Sequence, residues 1–303
     1  MAESAFDAAR KIGPFDGMQI TPLVDDSDLV STPVDFRAGA HTMQFHNGLT
    51  IAHPKLVVVR VGPTWWGDWA KFVTFCTELM TRGYLSQLTY AGCSGGAFVG
   101  SYEGPALAPG TYSDAQLQQY LQSIITANMV PGPDGSTIYS LMLPDGVVSQ
   151  LGGSSSCSAY CGYHSSMMVT GVLALYTIQP ASDCQGCNQG DPFVGATMVE
   201  GHEVAETISD PTGQGWYEDS TGMENADIVA WIQKTYGPWV VQGYADPAGN
   251  NVLGAYVAAP PPVPQPPPPP PVPQPPPSDL APRVAALESA VAAMRLGLRN
   301  AGA

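Results

Sequence analysis

The sequence predicts an α/β domain with a mixed sheet, followed by a proline-rich linker and a C-terminal helix. Within residues 1–258, short β-branched runs and segments of helical periodicity follow one another in the order strand, helix, strand. That order favours an α/β sandwich. Residues 259–277 are almost entirely proline, and residues 278–303 return to a helical pattern. The composition therefore separates a globular domain from an extended linker and a tail.

Four segments supply the core of the predicted sandwich. Residues 55–61 (KLVVVRV) and 136–143 (STIYSLML) are short and mainly apolar, with several β-branched side chains, as expected of buried strands. Residues 69–80 and 114–125 have helical periodicity, and the second of these begins after a serine that can cap it. A tryptophan-rich turn, residues 65–69, joins the first strand to the first helix.

The linker and the tail predict a stalk that ends in a self-associating helix. At about 3.1 Å per residue, a polyproline helix of about 18 residues would span roughly 55 Å. In the tail, apolar residues recur in steps of four and three, which is typical of a coiled-coil seam. They are Leu280, Val284, Leu287, Val291, Met294 and Leu298. The alternative is that this helix packs on its own domain or frays.

The composition argues against two classes of partner. The chain has 11 Lys and Arg against 26 Asp and Glu, a net charge of -15, and no basic cluster. That sign repels phosphate backbones, so we expect no nucleic-acid partner. No segment approaches the roughly 18 apolar residues of a membrane helix, so we expect no membrane insertion. At 44% hydrophobic and 12% charged residues, the chain can bury a substantial core.

The cysteine count indicates an oxidising location. Six cysteines, an even number, predict pairing: Cys76, Cys93, Cys157, Cys161, Cys184 and Cys187. The N-terminal residues lack the basic-then-apolar layout of a signal peptide. We therefore expect either that a leader has been removed or that the protein leaves its cell without one, as a virion component would. The predicted location is extracellular or on a virion surface.

The four central cysteines admit two interpretations. Cys157 and Cys161, followed by Cys184 and Cys187, have spacings close to those of a structural zinc site. Alternatively they form two disulfides. Residues 165–180 between the pairs are apolar and β-branched, like core, which favours disulfides. Cys76 and Cys93 could form a third pair or remain thiols.

One motif indicates metal chemistry. In Gly201-His-Glu-Val-Ala-Glu206, His202 and Glu206 lie four residues apart, so on a helix both project from one face. An imidazole and a carboxylate at this spacing can chelate Zn²⁺, as the two histidines of H-E-x-x-H do. Glu203 is then placed to take a proton from a metal-activated water. The alternative is that His202 is an ordinary surface histidine.

The remaining ligands should come from neighbouring segments. Glu224 is predicted to complete the metal site, and Asp227 to orient His202 by a hydrogen bond, although these two roles could be exchanged. His164, beside Cys161, could be a ligand or a donor to a developing oxyanion. The other histidines, which lie in loop-like sequence, are not expected to be ligands: His41, His46 and His53.

The ordered set of motifs resembles the phosphate-induced protein 1, or EXORDIUM-like, family of secreted plant and bacterial proteins, over about residues 55–235. The matching pieces are Trp65-Trp-Gly-Asp-Trp69, Cys157-Ser-Ala-Tyr-Cys-Gly-Tyr-His164, Cys184-Gln-Gly-Cys187, Gly201-His-Glu-Val-Ala-Glu-Thr-Ile-Ser-Asp-Pro211, Trp216-Tyr217 and Glu224-Asn-Ala-Asp227. The resemblance implies a secreted, disulfide-bearing domain with a peptidase-like metal site. The chain departs from the family in its stalk and tail, in showing no leader, and in having Ile228-Val229 where a cysteine is expected.

Two functional hypotheses follow. The first is a zinc-dependent hydrolase on a sandwich-like metallopeptidase-type domain, cleaving a peptide or protein substrate. His202, Glu206 and Glu224 would bind the metal, and Glu203, His164 and Asp227 would serve catalysis. The second is a non-catalytic structural or adhesive head, displayed on a stalk and keeping a metal only for stability.

Overall fold

The computed structural model describes residues 19–22, 41–65, 67–184, 186–259 and 280–300. The chain divides into two compact units, residues 1–259 and residues 260–303. The first unit is a mixed α/β domain with several sheets, as the sequence predicts. The predicted polyproline stalk lies outside the described residues and stays a prediction.

A six-stranded mixed sheet forms the centre of the first unit. Two of its strands are antiparallel to their neighbours, and the other four run parallel to one another. Parallel strands are usually covered on both faces, which explains why all residues from Thr137 to Met142 are buried. In spatial order the strands are β1 (Gln19–Pro22), β9 (Tyr160–Val169), β10 (Val172–Gln179), β6 (Thr137–Met142), β3 (Lys55–Val61) and β4 (Ala97–Gly104).

Helices cover both faces of this sheet. Helices α1 (Trp69–Thr81) and α3 (Pro192–Ser209) belong to one apolar core, which includes Leu56 and Val58 of β3. Helix α2 (Asp114–Thr126) belongs to the opposite core, which includes Val57 and Val59 of the same strand. Alternate residues of one strand therefore face opposite layers, as the period of a β-strand requires. The strands and helices predicted between residues 55 and 143 agree with these bounds to within a residue.

Short strands and two 3₁₀ helices complete the domain. The 3₁₀ helices span Tyr84–Ala91 and Asp227–Val229. The short strands form the sets β2 (Gln44–Phe45) with β11 (Trp216–Tyr217), β5 (Gly110–Ser113) with β7 (Val147–Leu151) and β8 (Ser154–Ser155), β12 (Gln233–Tyr236) with β13 (Trp239–Gln242), and β14 (Tyr244–Ala245) with β15 (Asn251–Val252). The β12–β13 hairpin packs on α3, where the Thr197 hydroxyl donates to the carbonyl of Val240 at 2.6 Å.

Helix α3 lies in the interior from its second turn to its end. Asp191 caps its start by accepting from the amide of Phe193 at 2.8 Å, and Pro192 occupies the first turn. Every residue from Gly195 to Ser209 is buried. Gly201 permits close packing, because a Cβ there would lie 2.8 Å from the hydroxyl oxygen of Tyr84. A helix buried on all sides can hold ionisable side chains only if they are partnered.

Two disulfides attach the segment before α3 to the start of β9. Cys157 pairs with Cys184, and Cys161 pairs with Cys187. The structure therefore confirms the disulfide interpretation of the four central cysteines. Cys76 and Cys93 are buried thiols.

The second unit contains helix α4 (Leu280–Asn300). Of its predicted seam residues, Val284, Leu287, Val291 and Met294 are exposed, between 45% and 70%. The coiled coil stays a prediction. Among the helices that the structure describes, none has the length and apolar character needed to cross a bilayer.

Removing the Cys161–Cys187 disulfide by a double change to serine should lower the free energy of unfolding by about 3 kcal/mol. The bond closes a loop with a sequence separation of 26 residues. A cross-link of that span lowers the conformational entropy of the unfolded chain, which stabilises the folded state by about this free energy. Urea denaturation of the oxidised protein would measure the difference. Thiol titration of denatured, unreduced wild-type protein is the control and should detect Cys76 and Cys93 alone; four or more reactive thiols would contradict the pairing.

Candidate metal centre

Helix α3 presents His202 and Glu206 on one side, one helical turn apart, and both are fully buried. Asp210 follows one turn later as the residue that ends the helix. Its Oδ1 accepts a hydrogen bond from the amide of Gly215 at 2.6 Å, which fixes the loop after α3. The end of this helix therefore supplies three ionisable side chains.

Strand β9 contributes His164 to the same place. Its neighbour Tyr163 points to the opposite layer, where its hydroxyl donates to Asp114 Oδ1 at 2.8 Å. Strand alternation therefore turns His164 toward α3. His164 Nε2 lies 3.0 Å from Glu224 Oε2 and 3.7 Å from Glu206 Oε2. These three side chains are all fully buried.

A second group of ligand atoms forms around His202. Its Nε2 lies 3.0 Å from Glu206 Oε1 and 3.5 Å from Asp227 Oδ1. The amide of Asp227 donates to Glu206 Oε1 at 3.1 Å, and Asp227 Oδ2 accepts from the amide of Glu224 at 3.3 Å. These bonds hold the loop so that Asp227 lies beside His202 while Glu224 lies beside His164. Glu206 belongs to both groups.

Both groups have the spacing that a divalent cation requires. Within each group, the candidate ligand atoms all lie within 4.8 Å of one another. Zinc binds nitrogen and oxygen ligands at about 2.0–2.2 Å, so two atoms on one ion lie about 3–4 Å apart. The distances around His164 and His202 fall in this range. Imidazole and carboxylate donors at this spacing fit zinc.

The centre has unbalanced negative charge. In the part of the chain that the structure describes, no ion pair joins its carboxylates to Lys or Arg. One oxygen of each carboxylate is buried without a hydrogen bond from any described residue: Glu206 Oε2, Asp210 Oδ2, Glu224 Oε1 and Asp227 Oδ1. Removing the partner of a buried charge costs on the order of 3–5 kcal/mol. A cation between these oxygens would remove most of that cost.

The same imbalance perturbs the pKa values of the cluster. The pKa of Glu206 is raised to about 7, mainly by burial and in part by the nearby Asp227 carboxylate. Burial also raises the pKa of Glu224 well above its ordinary value, with Asp210 and Glu206 adding to the effect. Without a cation, the carboxyls therefore tend to retain protons near neutral pH.

The pKa values of the two histidines are shifted in opposite directions. The pKa of His164 is lowered to about 3, mainly by burial and in part by the neighbouring His202. Burial also acts to lower the pKa of His202, but the carboxylates of Glu206 and Asp227 outweigh it and raise this pKa well above its ordinary value. Of the two imidazole rings, that of His202 is therefore the one that binds an additional proton more readily.

A glutamine fixes the ring of His202. Gln242 Nε2 lies 2.9 Å from His202 Nδ1 and donates to the carbonyl of Ala226 at 2.8 Å. Gln242 Oε1 accepts from the amide of Trp231 at 2.7 Å, which sets the orientation of the side-chain amide. An amide nitrogen only donates, so this contact requires His202 Nδ1 to accept, and in the neutral ring the single proton is then on Nε2, on the side of Glu206. With a cation at Nε2, the neutral ring would carry its proton on Nδ1, so the Gln242 amide would have to turn over and give up its present bonds to Ala226 and Trp231.

Glu203, the predicted general base, lies between α3 and β9. Its side chain is buried. A Cβ built on Gly162 would lie 2.7 Å from both Glu203 Oε1 and Val199 Cγ1. Gly162 therefore allows the helix to approach the strand and leaves room for the Glu203 carboxylate next to the centre.

Comparisons with known proteins do not place this chain in a family. No protein-family model, curated protein or solved structure matches it. The resemblance to the EXORDIUM-like family stays a prediction that rests on the order of its motifs. What the centre can do follows from the chemistry and spacing of its own side chains.

The structure brings five of the predicted site residues together in one buried place: His164, His202, Glu206, Glu224 and Asp227. Asp227 lies beside His202, where the residue that orients this ring was predicted, whereas Glu224 lies beside His164. Sequence reasoning assigned Asp210 no role at the site, although its position four residues after Glu206 could have indicated a candidate ligand. It also overlooked Gln242, for which the sequence carries no signal.

The histidines not expected to be ligands lie elsewhere. His46 stacks on Tyr217 with 3.6 Å between ring centroids, and its Nε2 lies 3.1 Å from Asp219 Oδ1. His53 Nδ1 lies 3.1 Å from the Ser94 hydroxyl. Neither belongs to the groups of candidate ligand atoms.

Replacing Gly162 with alanine should lower the free energy of unfolding by about 1–3 kcal/mol, since the added methyl group overpacks the contact of α3 with β9. Thermal and urea denaturation would measure the loss. The matched control is Gly132→Ala, because nothing lies within 4 Å of a Cβ at that glycine. The control should change stability by less than about 1 kcal/mol. Equal effects of the two changes would contradict the tight packing around Glu203.

Proposed function

We propose that this chain is a zinc-dependent hydrolase that acts on a peptide substrate. The observation that carries this proposal is the centre itself: buried imidazoles and carboxylates at ligand spacing, without a basic side chain among the described residues to balance them. Structural zinc sites are rich in cysteine, whereas catalytic sites use histidine and carboxylate ligands. The donor set of this centre is of the second kind.

The residues take the following roles. His202, Glu206 and Asp227 would hold the zinc ion, which when bound supplies a Lewis acid and an activated water. Glu203 accepts the proton of the attacking water, because it follows His202 directly on α3 and its carboxylate lies against β9. The amide of Asp227 donates to Glu206 and the Gln242 side chain contacts His202, so neighbouring groups orient both residues on α3.

The edge of the sheet supports a peptide as the substrate. Strand β1 pairs antiparallel with β9, with Gln19 opposite His164 and Ile20 opposite Tyr163. This pairing demonstrates that an extended chain can add to the sheet directly beside the centre. A peptide substrate would bind by the same backbone hydrogen bonds, which would place it along β9 beside His164. The chain's own β1 occupies that edge, so a substrate has to displace it.

The location that we propose is outside the cell or on a virion surface. Two disulfides bridge the described domain, and such bonds persist mainly in oxidising compartments. The motif order that resembles the secreted EXORDIUM-like family supports the same location.

Glu203→Gln should reduce hydrolysis of a casein-type substrate by about 10²–10⁴-fold while zinc content stays unchanged, because a general base contributes about that much. Glu200→Gln is the matched control. Glu200 is also buried on α3, but its carboxylate accepts from the Ser140 hydroxyl at 2.6 Å and lies outside the groups of candidate ligands. A Glu203→Gln protein that hydrolyses casein at the wild-type rate would overturn the assigned role.

A chain that begins at residue 23 should hydrolyse peptides faster than the full chain, since removal of β1 frees the edge of β9. The control begins at residue 19, which keeps β1 and removes only the residues before it. The measurement is the initial rate on a fluorogenic peptide library at equal zinc content. Identical rates for the two truncated chains would show that β1 does not occupy the position of the substrate.

A second candidate function is a structural or adhesive head in which the metal serves stability. Two observations favour it: the ligand side chains are almost entirely inaccessible, and α4 exposes an apolar seam. The full chain would then sediment as an oligomer, and a chain ending at Ala258 as a monomer. If analytical ultracentrifugation finds the full chain to be a monomer as well, this would count against display on a multimeric stalk.

A further inference from the structure

The carboxylate of Glu206 lies between two ligand groups and offers a different oxygen to each. Its Oε1 is 3.0 Å from His202 Nε2, and its Oε2 is 3.7 Å from His164 Nε2. Each histidine has a second carboxylate of its own, Asp227 for His202 and Glu224 for His164. Two complete sets of three donors therefore share one residue.

The charge of the candidate ligands and Asp210, counted apart from Glu203, which lies outside both ligand groups, favours two cations over one. Glu206, Asp210, Glu224 and Asp227 carry four negative charges when ionised, and all are buried, Asp227 being the most exposed at 7%. One divalent cation would balance two of these charges and leave two, whereas two divalent cations would balance all four. Buried carboxylates without a counter-charge are strongly unfavourable, so the composition of the centre matches two cations better than one.

The unpartnered oxygens are distributed over both halves of the centre. Asp227 Oδ1 belongs to the half with His202, and Glu224 Oε1 to the half with His164. Asp210 Oδ2 is also buried without a hydrogen-bond donor among the described residues, and its carboxyl group lies within hydrogen-bond reach of Glu224, so these two groups need either a shared proton or a cation between them. A single ion at His202 would leave the oxygens beside His164 unsatisfied.

We propose that the centre binds two divalent cations and that Glu206 bridges them. One cation is held by His202 and Asp227, and the other by His164 and Glu224, with Asp210 available as a further ligand. Mixed imidazole and carboxylate donors suit first-row cations such as Zn²⁺ and Mn²⁺.

The second cation extends the hydrolase proposal, and any catalytic role of this cation depends on that proposed function. In two-metal hydrolases, paired ions about 3.5–4 Å apart stabilise both the attacking and the leaving oxygen of the reaction. His164 is then a ligand, and not the donor to an oxyanion that the sequence also allowed. The binding of two cations can be tested independently of any activity.

The test is the metal content of the full chain after zinc loading and dialysis, measured by inductively coupled plasma mass spectrometry. Wild type should retain about two zinc ions per chain, as in other two-metal centres. Glu224→Gln and Asp227→Asn, which keep side-chain shape, should each retain about one ion, and Glu206→Gln should retain the least, since both sites use it. Glu200→Gln, with a carboxylate removed from the same helix outside the centre, should retain the wild-type content.

Electron paramagnetic resonance of the Mn²⁺-loaded wild-type chain gives a readout that does not depend on variants. Two Mn²⁺ ions bridged by one carboxylate should give a spin-coupled spectrum, whereas Glu224→Gln should give the spectrum of an isolated ion. One zinc per wild-type chain, or an uncoupled Mn²⁺ spectrum, would overturn the proposal of two cations. If the chain hydrolyses substrate with one zinc ion bound, the two-cation proposal is wrong and the hydrolase proposal is retained. If it binds two zinc ions but does not hydrolyse substrate, the hydrolase proposal is wrong and the two-cation proposal is retained.

Discussion

The rest of the domain is organised around one electrostatic constraint: buried carboxylates and imidazoles between α3 and β9 must be neutralised inside the protein. Two of these side chains, His202 and Glu206, lie on α3, which is buried almost throughout its length, so water cannot solvate them. Burial raises the pKa of Glu206 to about 7, whereas it lowers the pKa of His164 to about 3. Protons can neutralise such a cluster in part, but cations do so while leaving the carboxylates ionised.

Holding these side chains at ligand spacing requires a rigid frame, and several independent features provide it. Disulfides fix both the start of β9 and the segment leading into α3. The hydroxyl of Thr197 attaches α3 to the β12–β13 hairpin, and Gln242 of that hairpin contacts His202. On the sheet side, Glu200 accepts from the Ser140 hydroxyl, and burial raises the pKa of Glu200 to about 7. The helix is thus anchored by polar contacts on more than one side, and the centre does not depend on a single element.

Sequence patterns predicted the parts of this structure that local periodicity determines. The strand at residues 55–61 and the helix at residues 114–125 follow from β-branched runs and from spaced apolar positions. The pairing of His202 with Glu206 follows from helical geometry alone. The choice between Glu224 and Asp227 beside His202 depended on backbone bonds within an irregular loop, which no periodicity encodes. The contact with Gln242 joins residues far apart in sequence, so only the folded chain reveals it.

The pairing of the cysteines helps to distinguish between a structural and a catalytic role for the proposed metal. Cys161 lies on the same strand as His164, close enough in sequence to have served as a ligand, yet it is joined to Cys187 in a disulfide. Structural zinc sites generally use thiolates, because sulfur ligands form closed, unreactive tetrahedra. In this domain the cysteines of β9 and of the segment before α3 form disulfides, and the proposed metal centre consists of oxygen and nitrogen donors. Because sulfur forms the cross-links and oxygen and nitrogen form the proposed centre, the choice of ligands agrees better with a catalytic role for the metal than with a purely structural one.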